Sequence, residues 1–136
     1  HKYRNKISGP LLDRFDLQVE VDGVKYEDLT GESQEEPSSA VKERVEMARA
    51  IQRERFKDEG AAVKVNASMG ERQIKKYCRL TAECEGVLRT AFEALHLSAR
   101  ARTRIIKVAR TIADLAFSEE ILPEHILEAA SYRNCV

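Results

Sequence analysis

The strongest constraint on the fold of this chain is a helical pattern in residues 98–116. Apolar side chains recur there at intervals of three and four, and Ser98 stands where a helix N-cap is expected. Similar patterns begin near Ser38, Thr81 and Pro123. The 136 residues include no Trp, three Pro and 6% aromatic residues, which argues against a β-sandwich. The chain is therefore predicted to be mainly α.

Only one strand is predicted, and it precedes the helices. Residues 17–21 alternate apolar and polar side chains, which is typical of a half-buried strand. A lone strand is not stable, so we expect its partner strands upstream of this sequence. The chain is expected to comprise the end of a larger core (residues 1–25), an acidic linker (residues 26–37) and a helical domain (residues 38–136). That domain should contain about five helices, one of them opened by a capping box at residues 68–71.

Charged residues are balanced in total but not along the chain. Lys plus Arg and Asp plus Glu each number 23, which excludes a surface that attracts nucleic acid through its overall charge. Residues 100–110 nevertheless contain five basic residues and no acidic one, whereas residues 20–36 contain seven acidic residues and one basic residue. Each patch is either solvated surface or a local binding site. No apolar run is long enough to cross a membrane, and we expect a cytoplasmic location.

The sequence contains no recognisable set of catalytic or metal-binding residues. Its three cysteines form no C-x-x-C pair, and Cys78 and Cys84 are expected to be buried in helices. The three histidines are widely spaced and are expected at the surface or at helix ends: His1, His96 and His125. We therefore predict no metal site, and the arginines become the main candidates for function.

Two arginines have positions that suit the binding of a phosphate. Arg100 falls in the first turn of the helix capped by Ser98, where free backbone N–H groups attract anions and a guanidinium adds a bidentate donor. Alternatively, it packs along its helix or pairs with a neighbouring one. Arg14 lies between Asp13 and Asp16, just before the predicted strand. These carboxylates favour a structural ion pair, but an arginine presented at the start of a strand could also reach a phosphate on another subunit.

Long strings around these arginines resemble one protein family. Residues 7–17 read I-S-G-P-L-L-D-R-F-D-L, residues 97–101 read L-S-A-R-A, and residues 108–116 read V-A-R-T-I-A-D-L-A. These strings are similar to the C-terminal part of the magnesium-chelatase-like ComM (YifB) family of AAA+ proteins. The resemblance covers nearly the whole chain.

This resemblance implies a full-length protein that is a hexameric ATPase, with ATP and Mg²⁺ bound between subunits. Arg14 matches the arginine finger, which acts in trans on the γ-phosphate of a neighbouring subunit. Arg100 matches the sensor-2 arginine, which contacts the nucleotide of its own subunit, and residues 38–136 match the helical lid. The expected partners are further copies of the same protein, ATP and DNA. The implied role is a helicase-like, branch-migrating motor in natural transformation or recombination.

Three other interpretations remain open. Magnesium-chelatase ATPase subunits drive metal insertion into a porphyrin, so the resemblance also permits that role. A stand-alone helical module would use residues 100–110 to bind nucleic acid, and a scaffold domain would bind no ligand. The 136 residues contain no phosphate-binding loop and no acidic pair of the kind that holds Mg²⁺ in AAA+ proteins. The isolated chain is therefore expected to have no ATPase activity and to bind no cofactor by itself.

Overall fold

The structure is a computed structural model that describes residues 8–12, 14–24, 26 and 35–133. These residues form six α-helices and one 3₁₀ turn, and they contain no β-strand: α1 (Gly9–Leu12), α2 (Ser38–Arg55), the 3₁₀ turn (Asn66–Ser68), α3 (Glu71–Tyr77), α4 (Ala82–Ala94), α5 (Ala99–Leu115) and α6 (Pro123–Ser131). The mainly α fold is confirmed, with five helices after residue 37 in the described part of the chain. None of the helices described is long and apolar enough to cross a membrane.

Three predicted helix starts are confirmed by their local chemistry. The Thr81 hydroxyl accepts a hydrogen bond from the backbone N–H of Cys84 at 3.2 Å, and α4 follows. The Ser98 hydroxyl accepts one from the N–H of Ala101 at 3.4 Å, at the start of α5. Pro123 is the first residue of α6, where its missing N–H costs nothing. Such starts depend on adjacent residues, so a sequence pattern can reveal them.

The predicted capping box at residues 68–71 is wrong. Ser68 lies inside the 3₁₀ turn, and α3 begins only at Glu71. The residue before the helix is Gly70, whose backbone N–H donates to the side chain of Gln73 at 3.1 Å. Because the turn includes Ser68, the side-chain hydrogen bond at the helix start is made two residues later than predicted.

Helix α5 lies at the centre of the fold. It packs against α2, α6 and the 3₁₀ turn, while α4 packs against α6. The rings of Phe56 and Tyr77 meet edge to face, with centroids 5.3 Å apart. The buried apolar residues of the core come from α4, α5, α6 and the connections between the elements: Phe56, Met69, Cys78, Cys84, Leu88, Ile105, Ile106, Ala109, Ala113, Ile121, Ile126, Ala129 and Ala130.

Helix α2 buries only its C-terminal half. The sequence predicts one stripe from Val41 to Phe56, but only the end of that stripe reaches the core, at Ala48 and Phe56. Val41 and Val45 stay exposed because, among the described residues, no element packs over the first ten residues of α2. The helix follows Pro37 and has no side-chain cap, although a serine cap is predicted there.

The single strand predicted at residues 17–21 is not confirmed. Residues 17–24 have no regular secondary structure, and Leu17, Val19 and Val21 are 53%, 66% and 84% exposed. An alternating sequence forms a strand only when another strand supplies ladder hydrogen bonds, and the described residues contain none. Of the predicted linker at residues 26–37, only residues 26 and 35–37 are described.

Candidate functional site

The N-terminal end of α5 presents an exposed arginine without an acidic neighbour in the same turn. Ser98 caps the helix, and Arg100 lies in its first turn, which contains no Asp or Glu. The Arg100 side chain is exposed, and no carboxylate among the described residues pairs with it. A cation at this end opposes the helix dipole, so the dipole of α5 disfavours the charge of Arg100 at this position. An anion that bound the guanidinium and the free N–H groups together would remove that conflict.

A cavity of about 360 Å³ opens beside Arg100. Three of its six lining residues are cationic and one is acidic: Asp16, Ala67, Arg100, Thr103, Arg104 and Lys107. The Nζ of Lys107 donates to the carbonyl of Ala67 at 3.0 Å, which fixes one wall. The excess of positive charge and the polar lining suit a phosphate group better than an apolar ligand.

Arg14 lies near this cavity, on a segment that contacts α5. Nη1 of Arg104 donates to the carbonyl of Arg14 at 2.7 Å and also pairs with the carboxylate of Asp16. Asp16 therefore binds Arg104 and not Arg14, contrary to one of the alternatives that the sequence left open. The Arg14 side chain is exposed, and none of the carboxylates described pairs with it. Asp13, the other predicted partner, lies outside the described residues.

Most of the basic run in residues 100–110 is occupied by partners within the chain. Arg102 pairs with Glu85 at 2.7 Å, and Arg104 pairs with Asp16. Lys107 bonds a backbone carbonyl, and Arg110 is buried. Arg100 is the one member of this run for which the described residues provide no partner. A continuous cationic surface for nucleic acid is thus not available along this helix.

A buried polar cluster around Asp114 was not predicted from the sequence. The carboxylate of Asp114 is fully buried and accepts hydrogen bonds from Arg55 on α2, from Arg110 at 3.2 Å and from Asn66 at 2.8 Å. The remaining guanidinium nitrogens of Arg110 donate to the carbonyls of residues 118 and 119. Burial lowers the pKa of Arg110, and the charge of Asp114 opposes that shift. The cluster joins α2, the 3₁₀ turn and the end of α5.

The i, i+4 spacing of Arg110 and Asp114 could have drawn attention to this pair. The partners on other elements could not have been found, because Arg55 is 59 positions and Asn66 48 positions away from Asp114. A cavity of about 760 Å³ lies at this end of α5, bordered by Phe117 and Arg79. It is larger than the cavity at Arg100 and is lined by four basic and two acidic residues. Three of the four basic residues are already paired with carboxylates of the chain, namely Arg55, Lys76 and Arg110, so their charge is not available to an anion in the way that of Arg100 is.

A second buried carboxylate, Glu59, fixes the connection between α2 and α3. It accepts hydrogen bonds from Gln73 at 3.1 Å, Tyr77 at 2.9 Å and Lys76 at 3.1 Å, and it pairs with Arg72 at 3.2 Å. These hydrogen bonds lower the pKa of Glu59 from 4.5 to about 2, and the bond from Gln73 has the largest effect. Every donor comes from one short helix, so the cluster positions α3 and has no free acceptor for a ligand.

The described cysteines and His125 are buried and have structural roles. Cys78 and Cys84 are buried, as predicted, but only Cys84 lies within a helix, since Cys78 follows the last residue of α3. Burial raises the pKa of the Cys78 thiol to about 11. The Nδ1 of His125 accepts from the N–H of Leu122 at 3.0 Å and so caps α6, while His96 lies at the exposed end of α4. No group of three potential metal ligands occurs in the described part of the chain. Cys135 and His1 lie outside it.

Comparison with known proteins relates this chain to AAA+ proteins. It is 42% identical to "Competence protein ComM" from Haemophilus influenzae over 99% of its own length, which is 26% of that relative. It is 40% identical to "Uncharacterized protein YifB" from Salmonella typhimurium and 32% identical to "Uncharacterized protein Mb2921c" from Mycobacterium bovis, each over 97% of the chain. The aligned region covers 25% of the YifB protein and 26% of Mb2921c. The chain thus spans about a quarter of the length of these relatives.

Two family descriptions match along the chain. Residues 1–29 match "Magnesium chelatase, subunit ChlI", and residues 35–133 match "Magnesium chelatase, subunit ChlI C-terminal". The second match includes all five helices after residue 37, and the resemblance to the ComM (YifB) family is confirmed. The chain belongs to the family of the magnesium chelatase subunit ChlI C-terminal domain, within the part of that family that includes ComM and YifB.

Proposed function

We propose that this chain is the nucleotide-sensing C-terminal part of a ComM-like AAA+ ATPase. The observation that carries the proposal is the exposed Arg100, which borders a predominantly cationic cavity at a helix N-terminus and has no carboxylate partner among the described residues. Residues 1–25 would be the end of the ATPase core, residues 26–37 the linker and residues 38–136 the lid. The full-length protein would supply the loop that holds ATP and the acidic pair that holds Mg²⁺.

The two arginines would act on the phosphates of ATP in different ways. Arg100 can donate two parallel hydrogen bonds to phosphate oxygens when the lid closes, which makes closure depend on the bound nucleotide. Arg14 would place positive charge beside the γ-phosphate as the bond to it breaks, which stabilises the transition state. Mg²⁺ bound with ATP would neutralise part of the phosphate charge, and no ligand for it is assigned to this chain.

Both arginines are proposed to serve the same nucleotide. What supports this is that the backbone of Arg14 is hydrogen-bonded to Arg104, and that Arg104 lies one turn after Arg100 on the same face of α5. The sequence led to the different expectation that Arg14 contacts a neighbour's nucleotide and Arg100 that of its own subunit. Because the backbone of Arg14 is attached to the face of α5 that carries Arg100, a single subunit would present the two guanidinium groups together to ATP held by its neighbour in a hexamer.

DNA is the proposed substrate of the motor. The proposal rests on 40–42% identity, over nearly the whole chain, to the ComM and YifB proteins, one of which bears the name competence protein. Both family descriptions name magnesium chelatase, so metal insertion into a porphyrin is the second candidate. ATP turnover by the full-length protein should rise with branched DNA and not with a porphyrin. Stimulation by the porphyrin alone would favour the second candidate.

The first experiment substitutes Arg14 in the ATPase-active protein that carries this chain. Arg14→Ala should lower turnover about 10³-fold or more while ATP still binds, because the finger acts mainly in the transition state. Arg53→Ala is a matched control, since Arg53 is exposed and only loosely paired with Glu46 at 3.9 Å, and it should retain turnover. Normal turnover by Arg14→Ala would contradict the proposal.

Mixed oligomers then show which subunit supplies each arginine. Combining Arg14→Ala subunits with subunits whose phosphate-binding loop is inactivated should restore some turnover, because intact fingers then face intact nucleotide sites. Combining Arg14→Ala with Arg100→Ala subunits should restore none if one subunit supplies both groups to a single site. Recovery in the second mixture would show that the two arginines come from different subunits.

A further inference from the structure

The segment that carries Arg14 is held against the helical domain by polar contacts at three places. Arg104 of α5 donates to the carbonyl of Arg14 at 2.7 Å. The Nη1 of Arg133 donates to the carbonyl of Phe15 at 2.8 Å. The N–H of residue 18 donates to the carbonyl of Tyr132 at 2.8 Å. Helix α5 and the two residues after the end of α6 therefore contact this short segment at positions 14, 15 and 18.

Apolar burial contributes little to this attachment. Phe15 is 50% exposed, and Leu17 is 53% exposed. Four groups of the segment make these contacts, and guanidinium groups bind three of them: the carbonyls of Arg14 and Phe15 and the carboxylate of Asp16. The N–H groups of a guanidinium are directional donors. A segment held mainly by directional hydrogen bonds has its position set by those bonds, and it is free to shift when they are lost.

Arg104 has the central place in this attachment. It bonds the Arg14 carbonyl and the Asp16 carboxylate with one nitrogen, and it therefore spans the residue between them. Its side chain is 27% exposed, so it is neither part of the core nor freely mobile. Arg100 precedes it by one turn on α5. The bond from Arg104 thus sets the distance between the backbone of Arg14 and the helix that carries Arg100.

We propose that Arg104 is a positioning residue that fastens the Arg14 segment to α5. Arg14 then moves with the helical domain, and closure of that domain brings both arginines to the nucleotide in one step. This inference rests on the proposed function of Arg14. It adds that the finger is positioned by the helical domain and not by the ATPase core from which its segment emerges.

The first test measures the attachment without any enzymatic activity. Hydrogen exchange of the amide of residue 18, measured by NMR on the 136-residue chain, reports whether the segment is held. Arg104→Ala should accelerate this exchange about fivefold, a size that suits the loss of one partly exposed ion pair and its hydrogen bond. Arg44→Ala is the matched control, because Arg44 makes a comparable exposed pair with Glu36 far along the sequence. Equal exchange in wild type and Arg104→Ala would overturn the inference.

The second test measures turnover of the ATPase-active protein. Arg104→Ala should lower kcat about tenfold with little change in KM, because a displaced finger weakens the transition state more than ATP binding. Asp16→Ala should lower kcat in the same way, and the double variant should be no worse than either single variant. If Arg104 instead contacted phosphate directly, releasing it from Asp16 would leave kcat unchanged or raise it, which would overturn a positioning role.

The two proposals fail in different ways. If Arg104→Ala accelerates exchange but leaves kcat unchanged while Arg14→Ala abolishes turnover, the finger assignment stands and the positioning inference is overturned. If Arg14→Ala leaves turnover unchanged, the proposed function fails, whatever the exchange rate shows. Because Arg104 is partly exposed, Arg104→Ala should fold, and its melting temperature, measured alongside, should lie close to that of wild type.

Discussion

The two halves of helix α5 use arginine in opposite ways. Near its N-terminus, Arg100 is exposed without a carboxylate partner among the described residues, and Arg104 holds a segment from the other end of the chain. Near its C-terminus, Arg110 is buried and bonds both Asp114 and two backbone carbonyls. The residue type is the same, but burial and the position of a carboxylate decide whether the charge serves stability or remains available for a ligand.

This contrast explains why the basic run is not a uniform surface. A guanidinium that is buried with its hydrogen bonds satisfied is costly to disturb and unavailable to a ligand. One that is exposed at a helix N-terminus adds little to stability but retains all its donors. We therefore expect substitutions at the C-terminal half of α5 to act on folding, and substitutions at its N-terminal half to act on nucleotide chemistry.

Removing Asp114 should have the largest effect on stability. Asp114→Ala leaves Arg110 and Arg55 without their buried anion, and it should lower the free energy of unfolding by about 3–5 kcal/mol. Glu85→Ala, which removes the exposed partner of Arg102, is the matched control and should cost less than about 1 kcal/mol. Urea unfolding of both variants measures the difference. Equal losses of unfolding free energy in the two variants would mean that burial does not make the pairs of Asp114 more stabilising than the exposed pair of Glu85 and Arg102.

Glu59 should show an intermediate effect that depends on pH. Its carboxylate is nearly as buried as that of Asp114, but its partners Arg72 and Lys76 are largely exposed. Because folding lowers the pKa of Glu59 from 4.5 to about 2, its contribution to stability is full above pH 4.5 and is lost as the pH falls toward 2. Glu59→Gln should therefore be less stable than wild type at pH 7, and this difference should shrink in acid. A difference that stays constant from pH 7 to the lowest pH at which wild type folds would contradict this account.

The parts of the fold that could be predicted from sequence depend on neighbouring residues. Thr81, Ser98 and Pro123 reveal helix starts because a cap acts within three positions. The stripe on α5 predicts its buried face for the same reason. The predicted strand at residues 17–21 failed to form in the described chain because an alternating pattern needs a partner that sequence periodicity does not supply.

The candidate site could be predicted only in part. The resemblance indicated Arg14 and Arg100, and the cap at Ser98 indicated the helix end on which Arg100 lies. The contact that attaches the Arg14 segment to α5 joins Arg104 to residues 88 and 90 positions away, and no local pattern encodes such a contact. The Asp114 cluster was missed for the same reason, and the length of the basic run made Arg110 resemble a surface residue.

The most direct test of the central claim compares turnover and stability for Arg100. In the ATPase-active protein, Arg100→Ala should lower ATP turnover about tenfold or more, because a donor to phosphate is lost. The same substitution in the 136-residue chain should change the free energy of unfolding by less than about 0.5 kcal/mol, since the side chain is exposed and has no carboxylate partner in the described structure. Unchanged turnover would contradict the account. So would a loss of turnover accompanied by a loss of stability as large as that expected for Asp114→Ala.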